Sequence, residues 1–121
     1  MARHHLVLII TSDAQRRDTW HTATRSAGHH ALPAHTLAQA IFLLGKVRPT
    51  LVVTDAELAD GRVLALLRHL RAVESLTAVV VVVFGDVTAE EHEHIAADTL
   101  SHVRHRDAPI ERVLDEFITA V

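Results

Sequence analysis

The stretch RPTLVVTDAELADG, which runs from Arg48 to Gly61, is the most informative part of this 121-residue chain. Its apolar run Leu51 to Val53 shows no alternation of polar and apolar residues, as expected for a strand that is covered on both faces. Thr54 and Asp55 follow at once, so a carboxylate stands at the end of a strand that should be buried. A strand covered on both faces predicts a parallel sheet with helices on either side.

The rest of the chain alternates strand and helix patterns in the same way. Strands are predicted at Leu6 to Ile10, Ala31 to Leu32 (closed by Pro33), Leu51 to Thr54, Val79 to Phe84 and His102 to Arg104. Helices are predicted around Trp20 and at Leu37 to Val47, Val63 to Leu70, Ala89 to Asp98 and Ile110 to Val121. We therefore expect one domain, residues 1–121, of the α/β class: a single doubly wound parallel sheet of five strands flanked by about five helices.

Composition excludes several classes of function. The formal net charge is -3, with 22% charged residues, which is not the basic surplus of a nucleic-acid-binding domain. The chain has no cysteine, which excludes disulfides, thiolate catalysis and cysteine-based zinc sites. The apolar run near the N-terminus is too short to cross a membrane and has no cleavage pattern, so we expect a cytoplasmic protein without membrane contact. The segment after the first strand, TSDAQRRD, contains no glycine, which argues against a nucleotide-binding enzyme.

In parallel sheets, ligands bind beyond the carboxyl ends of the strands. That edge should carry four segments: Thr11 to Asp13, Asp55 to Asp60, Gly85 to Thr88 and His105 to Arg106. A metal site built across the edge would draw on Asp13, Asp55, Asp86 and His105. The eleven histidines include no His-Glu-x-x-His motif, so no zinc helix is predicted, but acid should alter solubility or assembly.

The polar residues at the helix starts have a structural interpretation. Ser12 with Gln15 matches the Ser-x-x-Gln pattern of a capping box, and Thr88 with Glu91 repeats it. Both pairs therefore predict helix starts rather than ligand sites.

Within the first helix, Trp20 is expected to pack in the core. Arg16 and Arg17, which stand beside Asp13 and Asp18, are expected to form a solvated face. On this interpretation neither arginine takes part in a site.

Three stretches resemble the receiver domain of two-component response regulators, which has a flavodoxin-like fold. AGHHALPAHTLAQAIFLL is similar to the family's second strand and helix, RPTLVVTDAELADG to its third strand and phosphoacceptor loop, and DAPIERVL to the start of its last helix. The resemblance covers nearly the whole chain and implies the strand order 2-1-3-4-5. It places Asp55 at the position where the family accepts a phosphoryl group.

The chain departs from the family at the acidic pocket. The family ends its first strand in two acids that hold Mg²⁺, and the corresponding residues here are the hydroxyls Thr11 and Ser12, followed by Asp13. Mg²⁺ is usually held by carboxylates and phosphate oxygens, so hydroxyls are poor replacements. We therefore expect no metal and no cofactor.

It departs again at the switch positions. Gly85 stands where the family has Ser or Thr, and His105 stands where it has Lys, with Arg104 or Arg106 as alternatives if the register shifts. Glycine has no hydroxyl to donate, and a neutral histidine is not a permanent cation.

These departures predict a degenerate receiver: a signalling module without enzymatic turnover that acts independently of phosphorylation. Its partner would be another protein, an output domain or a second copy, and it would not bind nucleic acid. The resemblance implies a contact surface at roughly Glu90 to Asp98, His102 to Arg104 and Glu111 to Glu116. The alternative is a response regulator receiver in which Asp55 accepts a phosphoryl group from a histidine kinase, with Mg²⁺ as cofactor.

Overall fold

The computed structural model describes residues 4–119, which alternate between strands and helices. The strands are β1 (Leu6–Ile10), β2 (His30–Ala34), β3 (Leu51–Asp55), β4 (Glu57–Leu58), β5 (Gly61–Arg62), β6 (Val80–Phe84) and β7 (Ser101–Arg104). The helices are α1 (Ala14–Ser26), α2 (Leu37–Leu44), α3 (Leu64–Ala72), α4 (Ala89–Ala96) and α5 (Ile110–Leu114). A 3₁₀ turn at Glu74–Leu76 follows α3, and a π-helical turn at Asp115–Thr119 continues α5.

Five strands form one parallel sheet in the order β2-β1-β3-β6-β7. Counting only these five strands, this is the order 2-1-3-4-5, so the predicted doubly wound α/β architecture is confirmed. In the register, Ile10 lies beside Thr54, Asp55 beside Phe84, and Phe84 beside Arg104. The carboxyl ends of the strands are thus level at one edge of the sheet.

Alternate residues of each strand supply two hydrophobic layers, one on each face of the sheet. On one face, Leu8, Val52 and Val81 pack under α2, α3 and α4. On the other, Val53 and Phe84 pack under α1 and α5. Trp20 is 3% exposed in this second layer, which confirms its predicted core position.

The sheet differs from the sequence prediction in two places. β2 extends through Pro33, which lies beside Ile9, because this strand is at the edge of the sheet, where proline is tolerated. The antiparallel hairpin β4–β5 was not predicted, since strands of two residues are too short to show a period.

Two helices end earlier than their patterns predicted. α2 ends at Leu44, with Gly45 as its cap, and α4 ends at Ala96. The regular part of the last helix ends at Leu114, and the predicted end at Val121 lies outside the described residues.

Within residues 4–119, no helix combines the length and the apolar content that crossing a membrane would require.

Candidate functional site

A cavity of about 320 Å³ lies at the edge of the sheet where the strands end. Its charged lining residues are Asp13, Asp55, Glu57 and Asp86, which are acidic, and Arg16, Arg62 and Arg106, which are basic. Several segments expected at this edge are therefore brought together. The mixture of charges raises the question of which cations and carboxylates are already paired.

Asp55 is the last residue of β3, and its side chain is 18% exposed. One carboxylate oxygen, Oδ1, accepts a hydrogen bond from Nε of Arg16 at 2.9 Å. The other, Oδ2, accepts from the hydroxyl of Thr11 at 2.5 Å. Both oxygens of the carboxylate thus already have partners within the protein.

Arg16 reaches Asp55 because α1 packs its first turns over the end of β6. Its guanidinium lies 4.5 Å from the centre of the Trp20 ring and 5.6 Å from that of Phe84, at distances typical of cation–π contacts. Nη1 donates to the carbonyl of Arg106 at 2.7 Å. The side chain is only 17% exposed.

The prediction of a solvated arginine face on α1 is therefore wrong. Arg16 enters the cavity, and Nη1 of Arg17 turns back to donate to the carbonyl of Thr11 at 3.0 Å. The charges beside these residues in the sequence suggested local pairs, whereas the actual partner of Arg16, Asp55, is 39 residues away.

Asp13, rather than Ser12, caps α1. Its Oδ1 accepts the backbone N–H groups of Gln15 and Arg16 at 3.0 and 3.2 Å, and the helix begins at Ala14. The predicted capping box of Ser12 and Gln15 is wrong, because the carboxylate one residue later takes the free amides of the first turn.

Ser12 instead joins two loops at the rim of the site. Its hydroxyl donates to the carbonyl of His35 at 2.7 Å and accepts from the amide of Ala59 at 2.9 Å. Thr11, which is fully buried, donates to Asp55 and accepts from the amide of Asp13 at 3.2 Å. Both hydroxyls are committed to contacts within the protein.

Gly85 follows β6 directly and has φ +120°, a conformation that disfavours any residue with a Cβ. A Cβ there would lie 3.6 Å from that of Ala56, which is ordinary contact, so the backbone rather than space limits substitution.

His105, the second switch position, is exposed, and its Nδ1 accepts the amide of Asp107 at 3.1 Å. The neighbouring residue Arg106 lines the cavity instead. Arg104, the other alternative, donates to both carboxylate oxygens of Glu116, at 2.7 and 2.8 Å. The basic residue of this segment that lines the cavity is thus Arg106.

The paired carboxylate of Asp55 does not fit a divalent cation. Each oxygen of Asp55 is bonded, Oδ1 of Asp13 caps a helix, and the guanidinium of Arg16 already places a positive charge against Asp55. Across residues 4–119, no three His, Cys, Asp or Glu side chains are arranged to hold a metal ion, so Asp13, Asp55, Asp86 and His105 form no such set. Mg²⁺ needs several oxygen ligands that are free to coordinate it.

A second ion pair, not expected from the sequence, joins β5 to α4 beside the cavity. Arg62 donates from Nε and Nη2 to the two oxygens of Glu91, each at 3.0 Å, and from Nη2 to the carbonyl of Asp86 at 2.9 Å. The Glu91 side chain is only 2% exposed. Burial raises the pKa of Glu91, but the bonds from Arg62 and Thr88 outweigh it and leave this pKa lower than usual.

Glu91 also completes a capping box with Thr88, as predicted. Its side chain accepts the amide of Thr88 at 2.8 Å, and the Thr88 hydroxyl accepts the amide of Glu91 at 3.1 Å. The sequence pattern thus revealed the cap, but it carried no signal for the arginine that reaches the same carboxylate from β5.

No protein-family model matches the chain, and neither does any curated protein. Solved structures match it well. It is similar to a response regulator receiver protein from Pseudomonas putida, with 24% identity over 95% of this chain and 96% of that one and a TM-score of 0.81. It is similar to a chemotaxis response regulator of Vibrio cholerae, with 13% identity, coverage of 94% and 96%, and a TM-score of 0.82.

A third similar structure is the receiver domain of a sensor histidine kinase from Pseudomonas aeruginosa, which has a magnesium ion coordinated in its active-site cleft. Identity is 15%, coverage is 96% of this chain and 98% of that chain, and the TM-score is 0.80. At these identities the similarity concerns the fold. The chain therefore has the CheY-like, flavodoxin-like fold of the response regulator receiver domains of two-component systems.

Proposed function

We propose that the chain is a receiver-like signalling module that works without phosphorylation and without enzymatic turnover. The observation that carries this proposal is the pairing of both Asp55 carboxylate oxygens, one with Thr11 and one with Arg16. Attack on a phosphorus atom requires a free carboxylate oxygen and a cation to neutralise the phosphoryl oxygens. Here the cation is the Arg16 guanidinium, which is hydrogen-bonded to the carboxylate itself.

The switch positions support the same proposal. Gly85 offers no hydroxyl, and His105 lies outside the cavity, bound to its own turn. A phosphoryl group on Asp55 would thus lack two contacts through which a receiver would respond to it. Beside the cavity, Arg62 instead joins β5 to α4 through Glu91 and bonds the carbonyl of Asp86.

The alternative function, phosphoryl acceptance at Asp55 from a histidine kinase, has one observation in its favour. Asp55 lines an open cavity with Asp13 and Asp86, which receive no side-chain cation within hydrogen-bond distance in the described structure. Displacement of Arg16 would be needed before this carboxylate could react.

One experiment separates the two functions. The pure protein is incubated with Mg²⁺ and either acetyl phosphate or beryllofluoride, and intact mass and amide chemical shifts are measured, with Asp55→Asn as the matched control. We expect spectra identical to those of the untreated protein. A stoichiometric adduct that Asp55→Asn abolishes would overturn phosphorylation independence and establish the alternative.

We further propose that the module acts by contacting a protein partner, an output domain or a second copy through α4, β7 and α5. Two contacts tie β7 to the turn after α5: Arg104 pairs with Glu116, and the His102 ring lies 4.7 Å from that of Phe117. Beside them, Arg112 is exposed on α5. The surface therefore carries both positive and negative side chains.

Light scattering after size-exclusion chromatography tests use of this surface by a second copy. Arg112→Glu should lower the average mass of any dimer, whereas Arg48→Glu, the same charge change in an exposed loop before β3, should not. An identical effect of both variants would show that only net charge matters.

A further inference from the structure

Histidines cluster at the amino ends of the strands, at the opposite end of the sheet from Asp55. The cluster comprises His4 and His5 before β1, His21 on α1, and His29 and His30 at the start of β2. His29 is the buried member, at 6% exposure. The other four have greater access to solvent, so protonation has different consequences within the group.

The ring of His29 holds the segment that precedes β1. Its Nδ1 accepts the backbone N–H of His5 at 3.1 Å. A ring nitrogen that accepts an N–H carries no hydrogen, so the ring is neutral and its hydrogen is on Nε2. Nε2 is buried and has no hydrogen-bond partner. An added proton must therefore bind Nδ1, where it competes with the His5 amide.

The contact made by His4 behaves in the opposite way. Its Nδ1 is bonded to the carbonyl of Gly28, and a carbonyl only accepts, so this nitrogen carries the hydrogen. Protonation of His4 would preserve that bond. Of these two contacts between a ring and the backbone, only the His29 contact is broken by protonation of the ring.

The electrostatic surroundings oppose a charge on His29. His4, His5 and His30 lie close by, and from α1 His21 and Arg25 line the same cavity of about 490 Å³. No carboxylate lines this cavity. Burial lowers the pKa of His29, and the charges of His5, His4 and His30 lower it further.

We propose that the contact between His29 and His5 is a pH-dependent attachment: the neutral ring holds the His5 amide at the turn between α1 and β2, and protonation of His29 releases this amide. The proposal involves neither Asp55 nor phosphorylation. It is thus independent of the proposed function.

The direction of the effect follows from proton linkage. The released state takes up a proton near pH 6.5, the ordinary value for histidine, whereas the attached state does so only at lower pH. The attachment is therefore complete above that value and weakens as the pH falls through it toward the lower pKa of the attached state. Each unit of difference between the two pKa values makes release about tenfold more favourable once the ring is charged.

Nuclear magnetic resonance tests the proposal on the wild-type protein. Ring nitrogen shifts should identify His29 as the Nε2–H tautomer at pH 8 and give it a pKa below the ordinary histidine value of 6.5. The hydrogen-exchange protection factor of the His5 amide, which corrects for intrinsic exchange, should fall about tenfold or more between pH 7.5 and 5. Protection at Val53 in the central strand should stay constant.

Two variants separate the His29 contact from a general effect of acid. His29→Asn keeps an acceptor at the position of Nδ1 but takes up no proton, so protection of the His5 amide should become independent of pH. The control variant His92→Gln changes an exposed histidine on α4 and should behave like the wild type. If the His5 amide of wild-type protein is equally protected at pH 7.5 and 5, or if His29 is a Nδ1–H tautomer, the proposal is overturned, whatever the stability of the variants.

Discussion

Arg16 determines the chemistry of the site at the level of single residues. Its guanidinium contacts Asp55, the Arg106 carbonyl and the faces of Trp20 and Phe84. One side chain thus supplies positive charge, fills part of the cavity and joins α1 to two strand ends. A bound cation could supply only the first of these.

Removal of the guanidinium should therefore destabilise the fold. In Arg16→Gln, Asp55 would keep its bond to Thr11 but lose its charged partner in a site where both side chains are less than one-fifth exposed. We expect a loss of about 2 kcal/mol in the free energy of unfolding. Urea unfolding monitored by Trp20, the only tryptophan, measures it.

The exposed pair of Arg68 and Glu90 provides a matched control, because its side chains are 62% and 66% exposed. Arg68→Gln should cost no more than about 0.5 kcal/mol. Equal losses in the two arginine variants would contradict a special role for Arg16.

At the level of the elements, the helix starts depend on side chains from inside and outside each helix. Asp13 caps α1 from the preceding residue, whereas α2 receives the carboxylate of Asp60 from the β4–β5 hairpin, which accepts the amides of Leu37 and Ala38. These bonds lower the pKa of Asp60. The loop after Asp55 is thus tied to α2 by Asp60 and to α4 by Arg62.

Exchange of the cap on α1 tests the assignment of Asp13. Asp13→Ala should lower the free energy of unfolding by about 1 kcal/mol, since two amides of the first turn lose their acceptor. In Gln15→Ala, by contrast, the helix start should remain capped and stability should stay within about 0.5 kcal/mol. Thermal unfolding followed by circular dichroism compares the stabilities of the two variants. A larger loss in Gln15→Ala than in Asp13→Ala would support the capping box of Ser12 and Gln15 instead.

The ion pair between Arg62 and the buried Glu91 should make stability depend on pH. Because the pKa of Glu91 is lower in the folded protein, its contribution is complete above the unfolded value of about 4.5 and is lost as the pH falls through the folded value. Glu91→Gln should cost about 2 kcal/mol at pH 7 and flatten the acid limb of the stability curve. Urea midpoints between pH 3 and 7 measure both effects.

Glu90, the exposed neighbour of Glu91, serves as the control for that curve. Glu90→Gln should retain the wild-type pH dependence, because the pair that it forms is solvated. A wild-type slope in Glu91→Gln would show that this pair does not govern acid stability.

At the level of the whole molecule, eleven histidines and a formal net charge of -3 make surface charge sensitive to mild acid. Protonation of these histidines brings the net charge to zero at the sequence pI of about 6.4 and makes it positive at lower pH. The charge that keeps copies apart near neutral pH therefore passes through zero on the way, where repulsion between copies is weakest.

Over the range from pH 8 to 5.5, association should accordingly be greatest near pH 6.4, where the net charge is zero. Light scattering after size-exclusion chromatography at several pH values measures the average mass, and high salt should reduce the change. A constant mass over this range would contradict the prediction. This association depends on all exposed histidines. The release at His29 is a different effect, because it concerns one amide and occurs within a monomer.

The fold could be predicted from sequence because burial leaves a regular trace. The run Leu51 to Val53 is apolar because helices cover both faces of β3, and Val63, Leu66, Leu67 and Leu70 are all buried at helical spacing. Such patterns repeat over many residues, so single exceptions do not obscure them. Strand order followed from resemblance and right-handed crossovers, and the sheet confirms it.

The sequence by itself determined the α/β class, the position of Asp55 at the end of β3 and the capping box at Thr88. Only the tertiary structure decided that Arg16 pairs with Asp55, that Arg62 pairs with Glu91 and that His29 bonds the amide of His5. The physical reason is distance along the chain. These partners are separated by 24 to 39 residues, and a polar side chain turns inward only where the fold brings a complementary group to meet it.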